Sequence, residues 1–322
     1  MERTFLKVHG SGNTFYLYES EQENEFDWVK LTKWLCQESN EGGADGLLLV
    51  LPSNVADAKM RVINADGSEA SMCGNGLRCV ARHVCEKLDK EAAVIETMKA
   101  NLNVRREEPI YGSIPTYAVE ISPISFQLDT LPMEYKNQTE ISHQIINEFS
   151  NEIKYTAVSV PNPHLIGIVD QEYITINQHQ LKLAQYLNGE NEYCSDGINV
   201  SYAYPMKNDT IFVRTYERGV GFTNACGTAM TASALVAKIY GYVDNETVTV
   251  FNPGGFVKCK VIEKNGQYDL TLIGNATITA KYKIDISKND FKWISKEETD
   301  EQLQYENCIQ IVKKETASFI SH

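Results

Sequence analysis

Apolar and polar positions change period repeatedly along this chain, and the changes mark its elements. Residues 5–18 alternate as a strand broken by the loop His9-Gly10-Ser11-Gly12-Asn13. Residues 46–51 form a continuous apolar run, which reads as a buried strand. It is introduced by Gly42-Gly43-Ala44-Asp45. Residues 58–64 alternate again and stop at the turn signal Asp66-Gly67. Near Cys73 the period lengthens: Leu77, Val80, Ala81, Val84 and Leu88 follow helical spacing. Strands are predicted over 93–96, 102–105 and 117–121, and a short helix over 27–36.

Pro123 reads as the crossover into a second half. There the pattern predicts helices over 141–153 and 181–187. Strands are predicted over 155–160, 165–169, 199–204 and 210–216. A helix follows over 228–240, apolar on nearly all sides and therefore buried all round. Strands over 247–251, 256–262 and 268–273 complete this half. Many short strands with one central helix per half predict an α+β class, with curved, mostly antiparallel sheets around the helices.

The two halves keep matching offsets. Asn64 lies nine residues before Cys73 and Glu217 nine before Cys226. Asn13 precedes Cys73 by sixty residues and Asn162 precedes Cys226 by sixty-four. This points to a duplicated fold, whose two Cys-Gly stretches would form opposing walls of one cleft. The boundaries expected are 1–122 for the first half and 123–277 for the second. A charged tail over 288–322 reads as a docked helix or an oligomer contact, with a homodimer left open.

Composition narrows the partners. Of 322 residues, 43% are hydrophobic and 23% charged, and the net charge of −13 argues against a nucleic-acid or acidic-membrane partner. The start of the chain reads as neither a signal nor a transit peptide, and no apolar run reaches the length of a membrane span. A cytoplasmic location with reduced thiols is expected, so the eight Cys are read as free. Cys73, Cys79 and Cys85 recur every six residues, which rotates them off a common helix face, and no Cys-x-x-Cys occurs. No metal is expected. Cys36, Cys79, Cys85 and Cys259 are read as core residues.

Cys73 and Cys226 differ from these. Met72-Cys73-Gly74-Asn75-Gly76 and Ala225-Cys226-Gly227-Thr228-Ala229 each place a Cys at a predicted helix start. Free N–H groups and the helix dipole gather there, which favours a thiolate and an anionic ligand. An amino acid lying between two such thiols could lose its α-proton to one and regain a proton from the other, inverting the carbon.

At this point the residues resemble the diaminopimelate epimerase family. The stretches that carry the resemblance are His9-Gly10-Ser11-Gly12-Asn13, Gly43-Ala44-Asp45-Gly46, Asn64-Ala65-Asp66-Gly67-Ser68-Glu69, Met72 to Gly76, Asn162-Pro163-His164, Gly197-Ile198-Asn199-Val200, Glu217-Arg218-Gly219-Val220-Gly221 and Ala225 to Thr228. They stand in family order over about residues 3–285. The resemblance implies two similar domains, each a barrel-like sheet around a central helix, with a final strand near 278–287 returning to the first. It implies a pyridoxal-independent epimerase, with no cofactor, that interconverts LL- and meso-diaminopimelate in lysine and peptidoglycan precursor synthesis. Cys73 and Cys226 would be the acid/base thiols, with His164 the partner of Cys73 and Glu217 that of Cys226. Asn13, Asn64, Asn162, Asn199 and Arg218 would hold the substrate's charged ends, and Gly74, Asn75, Gly227 and Thr228 would cradle the carboxylate. Phe222, Ala229, Thr14 and Cys194-Ser195 depart from residues common in the family. A racemase of another amino acid and a non-catalytic amino-acid-binding protein are the alternative readings.

Overall fold

A computed structural model describes residues 1–41, 43–287, 290–318 and 320. The chain divides into two compact units, Met1–Val119 with Ile273–Cys308, and Glu120–Leu272 with Ile309–His322. Both are α+β.

In the first unit, strand Glu2–Gly10 turns back into Asn13–Glu19, which runs parallel to Gly46–Leu51. Gly46–Leu51 pairs antiparallel with Ala58–Asn64, and that strand pairs with the short Glu69–Ala70 and runs parallel to Ala92–Glu96. Asn101–Glu107 and Thr116–Glu120 continue the sheet. On the other side of Glu2–Gly10 lies Thr277–Ile286, followed by Phe291–Glu298.

The sheet curves around helix Gly74–Leu88, which packs against six of these strands, from Glu2–Gly10 to Asn101–Glu107. All six residues of Gly46–Leu51 are buried. Leu47, Leu49 and Leu51 join a second apolar layer with Trp28, Leu31 and Leu35 of helix Trp28–Leu35. Helices therefore lie on both faces of that strand, which is why it reads as a continuous apolar run.

The second unit repeats the plan. Lys154–Ser159 turns back into Pro163–Ile168, which runs parallel to Asn199–Pro205. Thr210–Glu217 pairs antiparallel with Asn199–Pro205 and with the short Gly221–Thr223, and runs parallel to Thr247–Asn252. Gly255–Lys264 follows. These strands surround helix Gly227–Ile239, buried from Gly227 to Ala237.

The order of pairings is the same in both units, so the matched offsets have a structural cause. In each, a strand ends nine residues before a Cys, a short hairpin strand follows, and the central helix begins.

Two expectations need correction. Residues 141–153 are not helical: Gln144–Ile145 pairs with Lys154 and Tyr155, and the amides of Phe149 and Ser150 both turn back onto the Ile146 carbonyl. Ile141, Ile146, Phe149 and Ile153 are buried, but at steps of five, three and four residues. They fill sockets along a wrapped loop, which mimics a helical stripe. Cys36 is half-buried where a core position was expected, at the C-cap of helix Trp28–Leu35. Cys79, Cys85 and Cys259 are buried.

Candidate active site

Both Cys residues are helix N-caps with extended backbone, Cys73 at φ −146° and Cys226 at φ −113°. Each is followed by a buried glycine that opens its helix. The first free amides of each helix thus gather around a sulfur.

In the first unit, the half-buried Cys73 Sγ accepts from the Gly76 amide at 3.3 Å and lies 3.7 Å from Asn13 Oδ1. Asn75 Nδ2 also donates to Asn13 Oδ1, at 3.4 Å. Asn13 is oriented from behind by Asp45, whose Oδ2 accepts from Asn13 Nδ2 at 2.6 Å and from the Thr14 amide at 2.8 Å. Asn64 ends its strand and is turned by Ser68, to whose Oγ its Nδ2 donates at 3.0 Å. Structure thus brings Asn13, Asn75 and Cys73 into one cluster and leaves Asn64 bonded to its own turn.

Arg78, absent from the residues singled out in the sequence, underlies this cluster. It is fully buried. Its Nη2 donates to Ser11 Oγ at 3.0 Å and to Asn75 Oδ1 at 3.1 Å, its Nη1 to the Gly74 carbonyl at 3.4 Å, and its Nε to the Asn275 carbonyl at 3.0 Å. One planar fork ties the 9–13 loop to the helix start, a task that suits Arg and not Lys. The signal was a cation within a helix face of Leu77, Val80, Ala81 and Val84.

The second unit has different chemistry at the equivalent positions. Cys226 Sγ is 3.5 Å from Thr228 Oγ1, which is 3.1 Å from His164 Nε2. His164 is fully buried, and its Nδ1 has no hydrogen-bond partner among the described residues. Burial, helped by the Arg218 charge, pushes His164 down to about 3, so the imidazole is neutral. With a proton on Nε2 donated to Thr228, the hydroxyl is free to donate to sulfur and Nδ1 is left as a bare lone pair.

Glu217 ends its strand and accepts from Thr223 Oγ1 at 2.5 Å. His164 pairs with Asn199, and one step from the Val200–Tyr216 pair sets Asn199 beside Glu217. Asn199 Oδ1 accepts from the Arg218 amide at 2.8 Å, and Arg218 Nη1 donates to the Asp196 carbonyl at 3.0 Å. Gly197, at φ +71°, lets the Arg218 stem lie close: a Cβ there would be 3.2 Å from Arg218 Cδ and 2.5 Å from Asn188 Oδ1. Asn162 is half-buried, two residues before His164.

One expectation about Cys226 is overturned. A helix start was expected to lower its pKa, yet burial first, and the Glu217 carboxylate second, raise it well above the ordinary thiol range. Hydrogen bonds from Thr228 and from the Ala229 amide pull the other way and lose. Desolvation of a thiolate outweighs the dipole of one helix turn. Cys226 is therefore a thiol at neutral pH. Among the described residues no group of His, Cys, Asp and Glu could hold a metal ion, and no helix is long and apolar enough to cross a membrane.

Two units of one pairing plan, each with a Cys-capped central helix, make a fold that this chain shares with solved epimerase and racemase structures. Among solved structures, the chain resembles a phenazine biosynthesis protein from Bacillus anthracis at a TM-score of 0.61 and 13% identity, covering 89% of this chain and 100% of that one. It resembles a hydroxyproline epimerase from Agrobacterium vitis at a TM-score of 0.57 and 14% identity, covering 90% and 92%. At such identities the likeness concerns fold alone.

Sequence resolves the family. The profile of diaminopimelate epimerase matches residues 5–109 and 156–279. A diaminopimelate epimerase from Listeria innocua is 44% identical over 320 residues, covering 96% of this chain and 97% of that relative. One from Enterococcus faecalis is 45% identical over 322 residues, covering 96% and 98%. The chain belongs to the diaminopimelate epimerase family.

Proposed function

We propose that this chain is a pyridoxal-independent epimerase that interconverts LL- and meso-2,6-diaminopimelate, using Cys73 and Cys226 as its two acid/base groups. The observation that carries the reading is the pair of Cys N-caps at equivalent positions of a duplicated unit, one beside neutral amides and the other beside a carboxylate.

The α-carboxylate of the substrate binds at the two helix starts, where Gly74, Asn75, Gly227 and Thr228 offer amides and short side chains. In one direction the Cys73 thiolate takes the α-proton from one face, and the Cys226 thiol returns a proton to the other. Carbon inverts, Cys73 ends as thiol and Cys226 as thiolate, and the reverse reaction restores both. Charge that moves onto the carboxylate during deprotonation is met by amides already in place. Glu217 raises Cys226, which keeps it protonated as the acid of the resting form; in the reverse direction the Cys226 thiolate takes the α-proton and the Cys73 thiol returns one. His164 stands as the partner of Cys73. Asn13, Asn64, Asn162, Asn199 and Arg218 hold the ammonium and carboxylate groups, with Arg218 suited to a carboxylate clamp.

The two halves are proposed as 1–122, joined by the strand near 278–287, and 123–277, with 288–322 as an extension. A biosynthetic enzyme of lysine and peptidoglycan precursors fits a cytoplasmic location, and a homodimer is the proposed assembly. The test is turnover in deuterium oxide. The wild type exchanges one α-hydrogen of diaminopimelate and inverts that centre, while Cys73→Ala and Cys226→Ala each abolish inversion. Full inversion by both variants overturns the mechanism, and turnover of proline but not diaminopimelate overturns the substrate.

A further inference from the structure

The C-terminal segment is built into the back of the Cys73 cluster. Helix Glu301–Thr316 is anchored at its first residue: Arg82 Nη1 and Nη2 donate to the two Glu301 oxygens at 2.7 and 2.8 Å, and the Ile278 amide donates to Oε2 at 2.8 Å. The next residue, Gln302, meets His9, a buried histidine that no step of the proposed reaction uses.

Hydrogen-bond accounting fixes the state of His9. Gln302 Oε1 is 2.9 Å from His9 Nε2, and Gln302 Nε2 donates to Glu306 Oε1 at 3.2 Å. That second bond sets which way the amide points, so its carbonyl faces the ring and His9 Nε2 carries the proton. Nδ1 is then an acceptor. It receives the Gly12 amide at 3.2 Å and Asn275 Nδ2 at 3.3 Å. The opposite tautomer would set an N–H against the Gly12 N–H. Burial, aided by the Arg78 charge and opposed by the Gln302 bond, pushes His9 down to about 4 and keeps it neutral. Tyr305 packs edge-on against the ring at 4.6 Å.

Gly12 immediately precedes Asn13, and the loop between is held in an uncommon conformation, with Ser11 at φ 55° and Gly12 at φ 78°. Gly10 admits no side chain, since a Cβ would be 2.7 Å from the Asn75 carbonyl oxygen. A loop so shaped needs its amides accounted for.

We propose that Gln302 is a positioning residue of the epimerase site: by fixing His9 in the Nε2–H tautomer it anchors the Gly12 amide and so sets Asn13 against Cys73. This inference rests on the reading of Asn13 as a substrate-binding group. Among 322 residues of a chain whose named chemistry lies before residue 230, it gives the C-terminal extension a part in the site.

The test compares three full-length proteins at pH 8, in deuterium exchange kinetics with diaminopimelate and in nitrogen-15 NMR of the histidine rings. His9 is assigned by comparison with a His9→Gln variant. The wild type shows His9 in the Nε2–H form. Gln302→Met, near in size but with no acceptor, shows loss of that pattern and a kcat/KM lowered about tenfold, chiefly through KM. Gln302→Glu keeps an oxygen acceptor, restores the Nε2–H pattern and returns kcat/KM to within about threefold of wild type. Equal loss in both variants, or a Gln302→Met enzyme with wild-type KM, overturns the proposal. An Nδ1–H signal in the wild type overturns it even where a variant fails to fold. A wild type that exchanges no α-hydrogen refutes the epimerase reading instead, and the tautomer measurement then decides the role of Gln302 by itself.

Discussion

Thr228 offers the most direct measure of the Cys226 side. Its hydroxyl lies 3.5 Å from the sulfur and 3.1 Å from His164 Nε2, and the residue is buried. When Cys226 gives up its proton, the hydroxyl donates to a thiolate that has little water around it. A hydrogen bond to a charged group contributes about 1.5–3 kcal/mol. At about 1.4 kcal/mol per decade, Thr228→Val lowers inversion roughly 10- to 150-fold. The same change leaves His164 Nε2 without its partner, at a stability cost of about 1–3 kcal/mol. Because Thr228 lowers the Cys226 pKa, its removal also moves that thiol further upward. Thr228→Ser keeps the hydroxyl and is expected within about threefold of wild type. The assay is initial-rate deuterium exchange on diaminopimelate, with thermal melts of both variants alongside. Inversion by Thr228→Val within twofold of wild type refutes the reasoning. So does equal loss in Thr228→Ser, which would assign the effect to the missing methyl packing.

Two further outcomes follow from the charges. Glu217→Gln removes the carboxylate that raises Cys226, so the thiol alkylates faster with iodoacetamide at pH 8 while inversion falls, and a parallel fall in both would contradict the assigned role. His9 and His164 sit at about 4 and about 3 in the fold, below an unfolded value near 6.5. Below pH 6.5 the unfolded chain binds protons that the folded chain refuses, so each contributes stability that is full above that pH and falls by up to about 1.4 kcal/mol per unit as pH drops toward its folded value. Urea midpoints that stay flat from pH 6.5 to 4.5 would show that neither ring is held neutral.

Comparison of the halves shows how a duplicated frame acquired unequal chemistry. The row Phe15, Gly46 and Asn64 in the first unit stands where His164, Asn199 and Glu217 stand in the second. Backbone pairing is common to both, since it depends on strand length and turn geometry. Side chains at the row differ: Phe15 is a buried core residue of the first unit where the second has a buried His164. Cys73 therefore has the Asn13 amide and the Gly76 N–H beside it, whereas Cys226 has a carboxylate and a hydroxyl.

Local pattern was enough to find most strands, both central helices and both Cys caps. Period-two and period-3.6 burial leave their trace within a few residues, and a glycine after an N-cap leaves another. The offsets of nine were legible because each spans one strand end, one hairpin and one helix start. Other features were settled only by contacts distant in sequence. The 141–153 segment carries a helical-looking stripe but wraps as a loop, because its apolar residues answer to sockets supplied by other strands. Arg78 gains meaning from Ser11 and Asn275, and Gln302 from His9, at separations of 67, 197 and 293 residues. The thiol state of Cys226 was decided the same way: sequence placed it at a helix start, which favours ionisation, and tertiary burial beside Glu217 imposed a larger desolvation cost that keeps the proton on sulfur.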